Sequence, residues 1–161
     1  MRLRPSVFSG LLVLALASLA PAANAGSSMT VGPHFGFSTD PGQVVLGGQL
    51  TMADVAPQLD FVPSVDLGFG DGVTVVAFNG DFHYRIRLQD ATWQPYAGAG
   101  VSLYTASAGG FGGSATVGGG SLIVGADVPT KNGSRFFVEG KICLGDGPGF
   151  KALAGWNFRT K

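Results

Sequence analysis

From Val73 to Leu88 the chain changes character at every residue. Thr74, Val76, Phe78, Gly80, Phe82, Tyr84, Ile86 and Leu88 share one parity, and Asn79, Asp81, His83, Arg85 and Arg87 share the other. Successive side chains of a strand point to opposite faces, so this period of two makes one face apolar and the other charged. A helix would scatter both classes around its circumference. After a polar turn at 89–92, the run 93–104 alternates again, with Pro95, Ala97, Ala99, Val101 and Leu103 set against Gln94, Tyr96, Gly98, Gly100, Ser102 and Tyr104. The two runs predict a hairpin with one greasy face, and that face needs either a protein core or lipid.

The first 25 residues bear on which of these is within reach. Arg2 and Arg4 precede an apolar stretch at 10–19, and Ala23-Asn24-Ala25 closes the segment with small residues. That order reads as a cleaved secretory signal peptide. The apolar stretch is too short for a helical membrane anchor. Residues 26–161 then form the exported domain. Without Arg2 and Arg4, eight basic residues remain against ten acidic ones, which argues against a nucleic-acid partner. The lone Cys143 cannot staple the fold through an internal disulfide. Charged residues are only 12% of the chain and mean hydropathy is +0.31, unlike a soluble exported enzyme, where about a quarter of residues are charged.

The alternation recurs along the rest of the chain. Strands are predicted over 29–37, 44–52, 58–68, 73–88, 93–104, 117–128, 135–144 and 150–158. Between them, turns fall at 38–42, 53–57, 68–72, 89–92, 105–116, 129–134 and 145–149, marked by Pro-Gly, Asn-Gly and glycine-rich chemistry. Each strand has about the length that a tilted bilayer-crossing strand needs.

One face of this sheet carries large apolar side chains on nearly every strand. The other carries Asp60, Asp66, Asp81, His83, Arg85, Glu139, Lys141 and Lys151 together with Gly32, Gly36, Gly47, Gly98, Gly100, Gly125 and Gly155. The bore of an eight-stranded barrel is just wide enough for side chains, so it cannot hold the bulky set. A face rich in glycine suits a crowded lumen. The prediction is a closed antiparallel up-and-down barrel, apolar outside and polar inside, which spans lipid because a closed sheet pairs all its backbone groups. A secreted lipocalin-like binder, with the faces reversed, is the soluble alternative.

The runs 78–85, 93–104 and 136–142 resemble those of the bacterial outer-membrane β-barrel family. The likeness is to its small eight-stranded members, typified by the OmpA membrane domain and OmpX. The resemblance covers nearly all of 26–161. It implies a place in the outer membrane of a Gram-negative cell envelope with both termini in the periplasm. Turns at 53–57, 89–92 and 129–134 would then lie inside, and loops at 38–42, 68–72, 105–116 and 145–149 outside. These loops are short for the family, which weighs against an adhesin or receptor role.

Asp60, Asp81, His83, Arg85, Glu139, Lys141 and Lys151 are the candidate lumen network, with Asp81, Glu139, Arg85 and Lys141 expected to pair and block ion flow. The inward charges balance if Arg87 is counted among them, four acids against four bases. Phe78, Phe82, Tyr84, Phe136, Trp156 and Phe158 are expected to face lipid, and Trp93, Tyr96 and Tyr104 to join an interfacial girdle. His34 and His83 lack the company of a ligand cluster, so no metal or cofactor is expected. There is no Gly-x-Ser-x-Gly elbow, and Ser64, Ser102 and Ser121 point inward, so no catalytic site is expected either. The glycine clusters at 109–113 and 118–120 precede no helix and read as loop rather than phosphate cradle. The functional expectation is a non-enzymatic, monomeric outer-membrane protein serving membrane integrity or surface interaction, with a small porin or solute conduit as the alternative. Its partners would be outer-membrane lipids and lipopolysaccharide, periplasmic chaperones and the barrel-assembly machinery.

Overall fold

The computed structural model describes residues 28–70, 72–108 and 114–160. The expected signal peptide at 1–25, Asp71 and the glycine cluster at 109–113 lie outside them. Eight strands follow in order: β1 (Met29–Thr39), β2 (Gln43–Ala56), β3 (Leu59–Gly70), β4 (Val73–Arg85), β5 (Gln94–Ala108), β6 (Ser114–Pro129), β7 (Arg135–Gly145) and β8 (Phe150–Arg159). Each pairs antiparallel with its chain neighbours, and β8 returns to β1 to close the barrel. The hairpin of β4 and β5 keeps an unbroken register from Val73↔Ala108 to Arg85↔Tyr96.

Burial follows the alternation strand by strand, and it is inverted relative to a soluble barrel. Phe78, Phe82, Tyr84 and Val138 are exposed at 46–50% on the outer wall, whereas Asp81, Glu139, Lys141 and Lys151 are 1–6% exposed inside. Val31, Phe35, Phe37, Leu46, Val101, Leu122, Val124, Ile142 and Trp156 complete an apolar belt around the outside. The lipocalin-like arrangement is thereby excluded. A wall of this composition is stable against acyl chains and not against water.

Four boundaries differ from the sequence expectation by three residues or more. β2 runs on to Ala56 where a turn at 53–57 was expected, because a bulge between Met52 and Ala56 absorbs the irregularity and pairing resumes at Ala56↔Leu59. Asp54 sits in that bulge at φ 56°. β4 stops at Arg85 rather than Leu88. Ile86 still donates to Pro95 O at 2.9 Å, but Pro95 has no N–H to return, and the ladder ends there. The expected loop at 105–116 is shorter, since β5 and β6 pair down to Ser107↔Ser114 and Thr105 Oγ1 lies 3.0 Å from Thr116 Oγ1. Small polar residues pair their backbones as well as apolar ones do, yet leave no apolar period to read.

The closing seam between β1 and β8 depends on absent side chains. A Cβ at Gly36 would overlap the carbonyl oxygen of Ala152 and lie 2.9 Å from Leu153 Cα. Gly36→Ala therefore forces β8 away from β1. Overpacking of this kind costs about 1–3 kcal/mol. Urea titration of the variant folded into lipid vesicles checks this, and a midpoint equal to that of the parent would contradict the tight seam.

Candidate functional site: the lumen network

The barrel interior holds three polar groups. The first joins β1, β3, β4, β5 and β8. His34 Nε2 lies 2.8 Å from Asp66 Oδ1, and Lys151 Nζ donates to Asp66 Oδ2 at 2.8 Å. Asn79 Nδ2 donates to Asp66 Oδ2 at 3.1 Å and to Ser64 Oγ at 3.0 Å, while Ser102 Oγ donates to Asn79 Oδ1 at 2.7 Å. The Lys151 ammonium also stands 5.2 Å from the centroid of the Tyr104 ring. Gly47 makes this possible, since a Cβ there would strike His34 Nε2 and close the route from β1 to β3.

The second group spans the bore from β4 and β5 to β7. Lys141 donates to Asp81 Oδ2, and its Nζ is 3.5 Å from Glu139 Oε1. Tyr96 OH donates to Glu139 Oε2 at 2.8 Å, and the His83 ring stacks on Tyr96 with centroids 4.5 Å apart. Asp81, His83 and Glu139 bring potential ligand atoms within 4.8 Å of one another, a meeting the sequence reading did not anticipate. The Lys141 ammonium already binds both carboxylates of that trio, so the cluster carries its own cation. Gly100 and Gly125 supply the room, because a Cβ at either would overlap Asp81 Oδ1 or the Tyr96 ring.

The third group lies at the end that carries the termini. Arg85 bonds Asp54, and its Nε is 3.3 Å from Asp60 Oδ2. The Asp54 N–H donates to Asp60 Oδ1 at 2.9 Å. Arg135 and Asp127 pair nearby at 3.5 Å.

Asp60, Asp81, His83, Glu139, Lys141 and Lys151 are all buried, and Arg85 is half-buried. Their grouping differs from the expected one, since Arg85 pairs with Asp54 and Asp60 and not with Asp81 and Glu139. Arg87 lies beyond the end of β4 and is exposed, so it drops out of the inward count. Tyr96 and Tyr104 are not girdle residues. They have the inward parity and are 5% and 3% exposed, with the Tyr96 hydroxyl bonded inside the lumen. His34, Asp66, Asn79 and Asp54 belong to the network although the candidate set left them out, Asp66 having been read only as an inward charge. For the first three the signal was present, since they share the inward parity of their strands.

Phe78, Phe82, Tyr84, Trp156 and Phe158 are exposed, and Phe136 packs on Trp156 at a centroid distance of 4.9 Å. Trp93 is exposed beside the start of β5. Ser64, Ser102 and Ser121 are buried inside, away from the outer wall. His34 and His83, 3% and 7% exposed, are held by carboxylates and an aromatic ring.

No protein-family model and no curated protein matches the sequence. The fold itself has solved counterparts. The N-terminal β-barrel domain of Pseudomonas aeruginosa OprF aligns with a TM-score of 0.70 at 12% identity, covering 83% of this chain and 97% of that one. Neisserial surface protein A aligns with a TM-score of 0.66 at 13% identity, covering 84% and 98%. The de novo designed barrel TMB2.3 aligns with a TM-score of 0.52 at 16% identity, covering 86% and 98%. The first two are eight-stranded outer-membrane barrels. At these identities the likeness speaks for a common fold.

Proposed function

We propose that the chain is an integral outer-membrane barrel with a structural role in membrane integrity or surface interaction, and that its lumen is closed to ion flow. The observation that carries this reading is the inversion of polarity. A continuous apolar belt faces outward while Asp66, Asp81, Glu139, Lys141 and Lys151 are spent on one another inside. Charges tied up in pairs across a narrow bore leave no open water path, and Ser64, Ser102, Ser121, His34 and His83 are turned inward, away from the lipid. The fold shared with OprF and Neisserial surface protein A supports the placement. The export signal read at 1–25 supports the route to it. Passage through periplasmic chaperones and the assembly machinery accords with that route, and the resemblance to small outer-membrane barrels supports a periplasmic position for both termini.

Two measurements test the proposal. The folded barrel migrates faster than the boiled one on a gel run in dodecyl sulfate, and a single mobility would count against a membrane barrel. In a planar bilayer the protein passes no steady large current. A stable open conductance would replace the closed lumen with the small-conduit reading.

A further inference from the structure

The exposed charge of the barrel is sorted by end. At the end carrying the termini and the β2–β3, β4–β5 and β6–β7 turns, Arg87, Lys131 and Arg159 are exposed and have no partner among the described residues. Asp90 is an exposed acid on the same side. At the opposite end Asp40 and Asp146 are exposed, and the described turn residues there include no Lys or Arg.

A pocket of about 370 Å³ opens at the basic end, between the β4–β5 turn and the ends of β6 and β7. Its polar side includes Arg87, Arg135 and Asp127, and its apolar side includes Ile86, Leu88 and Trp93. The Arg135 side chain is 41% exposed and meets Asp127 through Nη1 at 3.5 Å. A guanidinium has five N–H donors in a fork that fits a tetrahedral oxyanion, so Arg135 retains donors and Arg87 has all of its own. Ile86, Leu88 and Trp93 are 42–46% exposed. Ile86 and Leu88 keep the parity of Phe78, Phe82 and Tyr84, so they carry the lipid-facing stripe past the end of β4 to the lip of the pocket.

We propose that this pocket seats a glycerophospholipid, its phosphate held by Arg87 and Arg135 and an acyl chain laid along Ile86 and Leu88 beside Trp93. The inference rests on the membrane reading above. An amphiphile satisfies both sides of the pocket at once, whereas free phosphate or a peptide carboxylate would satisfy only the basic side. Continuity with the apolar belt is what selects the lipid.

The test uses the full chain folded in a maltoside detergent, with Trp156→Phe so that Trp93 is the reporter in the barrel. Phosphatidylglycerol is expected to shift the Trp93 emission saturably, and dioleoylglycerol, which lacks the phosphate, to bind more weakly by about tenfold or more, equivalent to 1.4 kcal/mol. Arg87→Gln, at an exposed residue with no partner to lose, weakens phosphatidylglycerol by a similar factor. Arg87→Gln with Arg135→Gln weakens it further, and Arg159→Gln leaves it unchanged. Equal binding of the two lipids, or no effect of the arginine variants, would overturn the proposal. So would displacement of the lipid by millimolar inorganic phosphate, which would mark a free-phosphate site. Heat-modifiable migration of the same samples separates the two readings. A chain that folds but shows no headgroup preference defeats the pocket alone, and one that does not fold in detergent defeats the membrane reading.

Discussion

Lys141→Met lowers the stability of the folded barrel by about 3–5 kcal/mol, the usual cost of removing one member of a buried ion pair. The size of the effect follows from what stays behind. Lys141 is 3% exposed, and it is bonded to Asp81 and within 3.5 Å of Glu139. Without the ammonium, two buried carboxylates face each other across the bore, with the Tyr96 hydroxyl and the His83 ring beside Glu139. Methionine keeps the length and apolar stem, so lost packing is a minor part. Urea unfolding from lipid vesicles reads the loss. The companion variant is Lys141→Met with Asp81→Asn and Glu139→Gln, which removes the stranded charges and recovers most of it. Should Lys141→Met cost under about 1 kcal/mol, the pair would behave as a surface pair does and the lumen would be wet. Should the triple variant recover nothing, the ammonium would matter for reasons other than charge.

How much of this could be read from the residues alone depends on whether a feature is periodic. The inward position of Asp81, Glu139, Lys141 and Tyr96 is a matter of parity, and the alternation of their strands fixes parity without any knowledge of partners. Choosing partners is a different problem. Lys141 lies 60 residues from Asp81, on a strand that is not a sheet neighbour of β4, and the two meet only across the bore. His34 reaches Asp66 over Gly47, on the strand between them. Such meetings depend on how the closed sheet brings opposite walls together, which no local pattern encodes. The grouping of Arg85 with Asp54 was hidden for a second reason. Asp54 sits in a bulge, which breaks the period of two that made the other inward residues visible. Tyr96 and Tyr104 show the converse case. Their residue type suggests an interfacial girdle while their parity points inward, and the structure follows parity.

Leu122→Arg, near the middle of β6, costs about 2–4 kcal/mol of barrel stability in a bilayer, the price of placing an arginine near the midplane of the lipid-facing wall. Leu122 is 54% exposed, with Ala99 and Ile142 as its neighbours across the sheet, neither of which offers a carboxylate to receive a guanidinium. The same substitution on the exposed face of a water-soluble barrel would fall within about 0.5 kcal/mol of neutral, as surface changes usually do. The variant therefore weighs the two environments directly and does not depend on any role for the lumen. Unfolding in vesicles is compared with the change at Val128, which is also exposed but lies near the end of β6 that borders the β6–β7 turn. Val128→Arg is expected to cost about 0–1 kcal/mol, because the penalty for a lipid-facing charge falls toward the interface. Depth dependence is the part that only a bilayer produces. If both variants were equally mild the outer wall would be wet, and the barrel, for all its greasy exterior, would not be crossing a membrane.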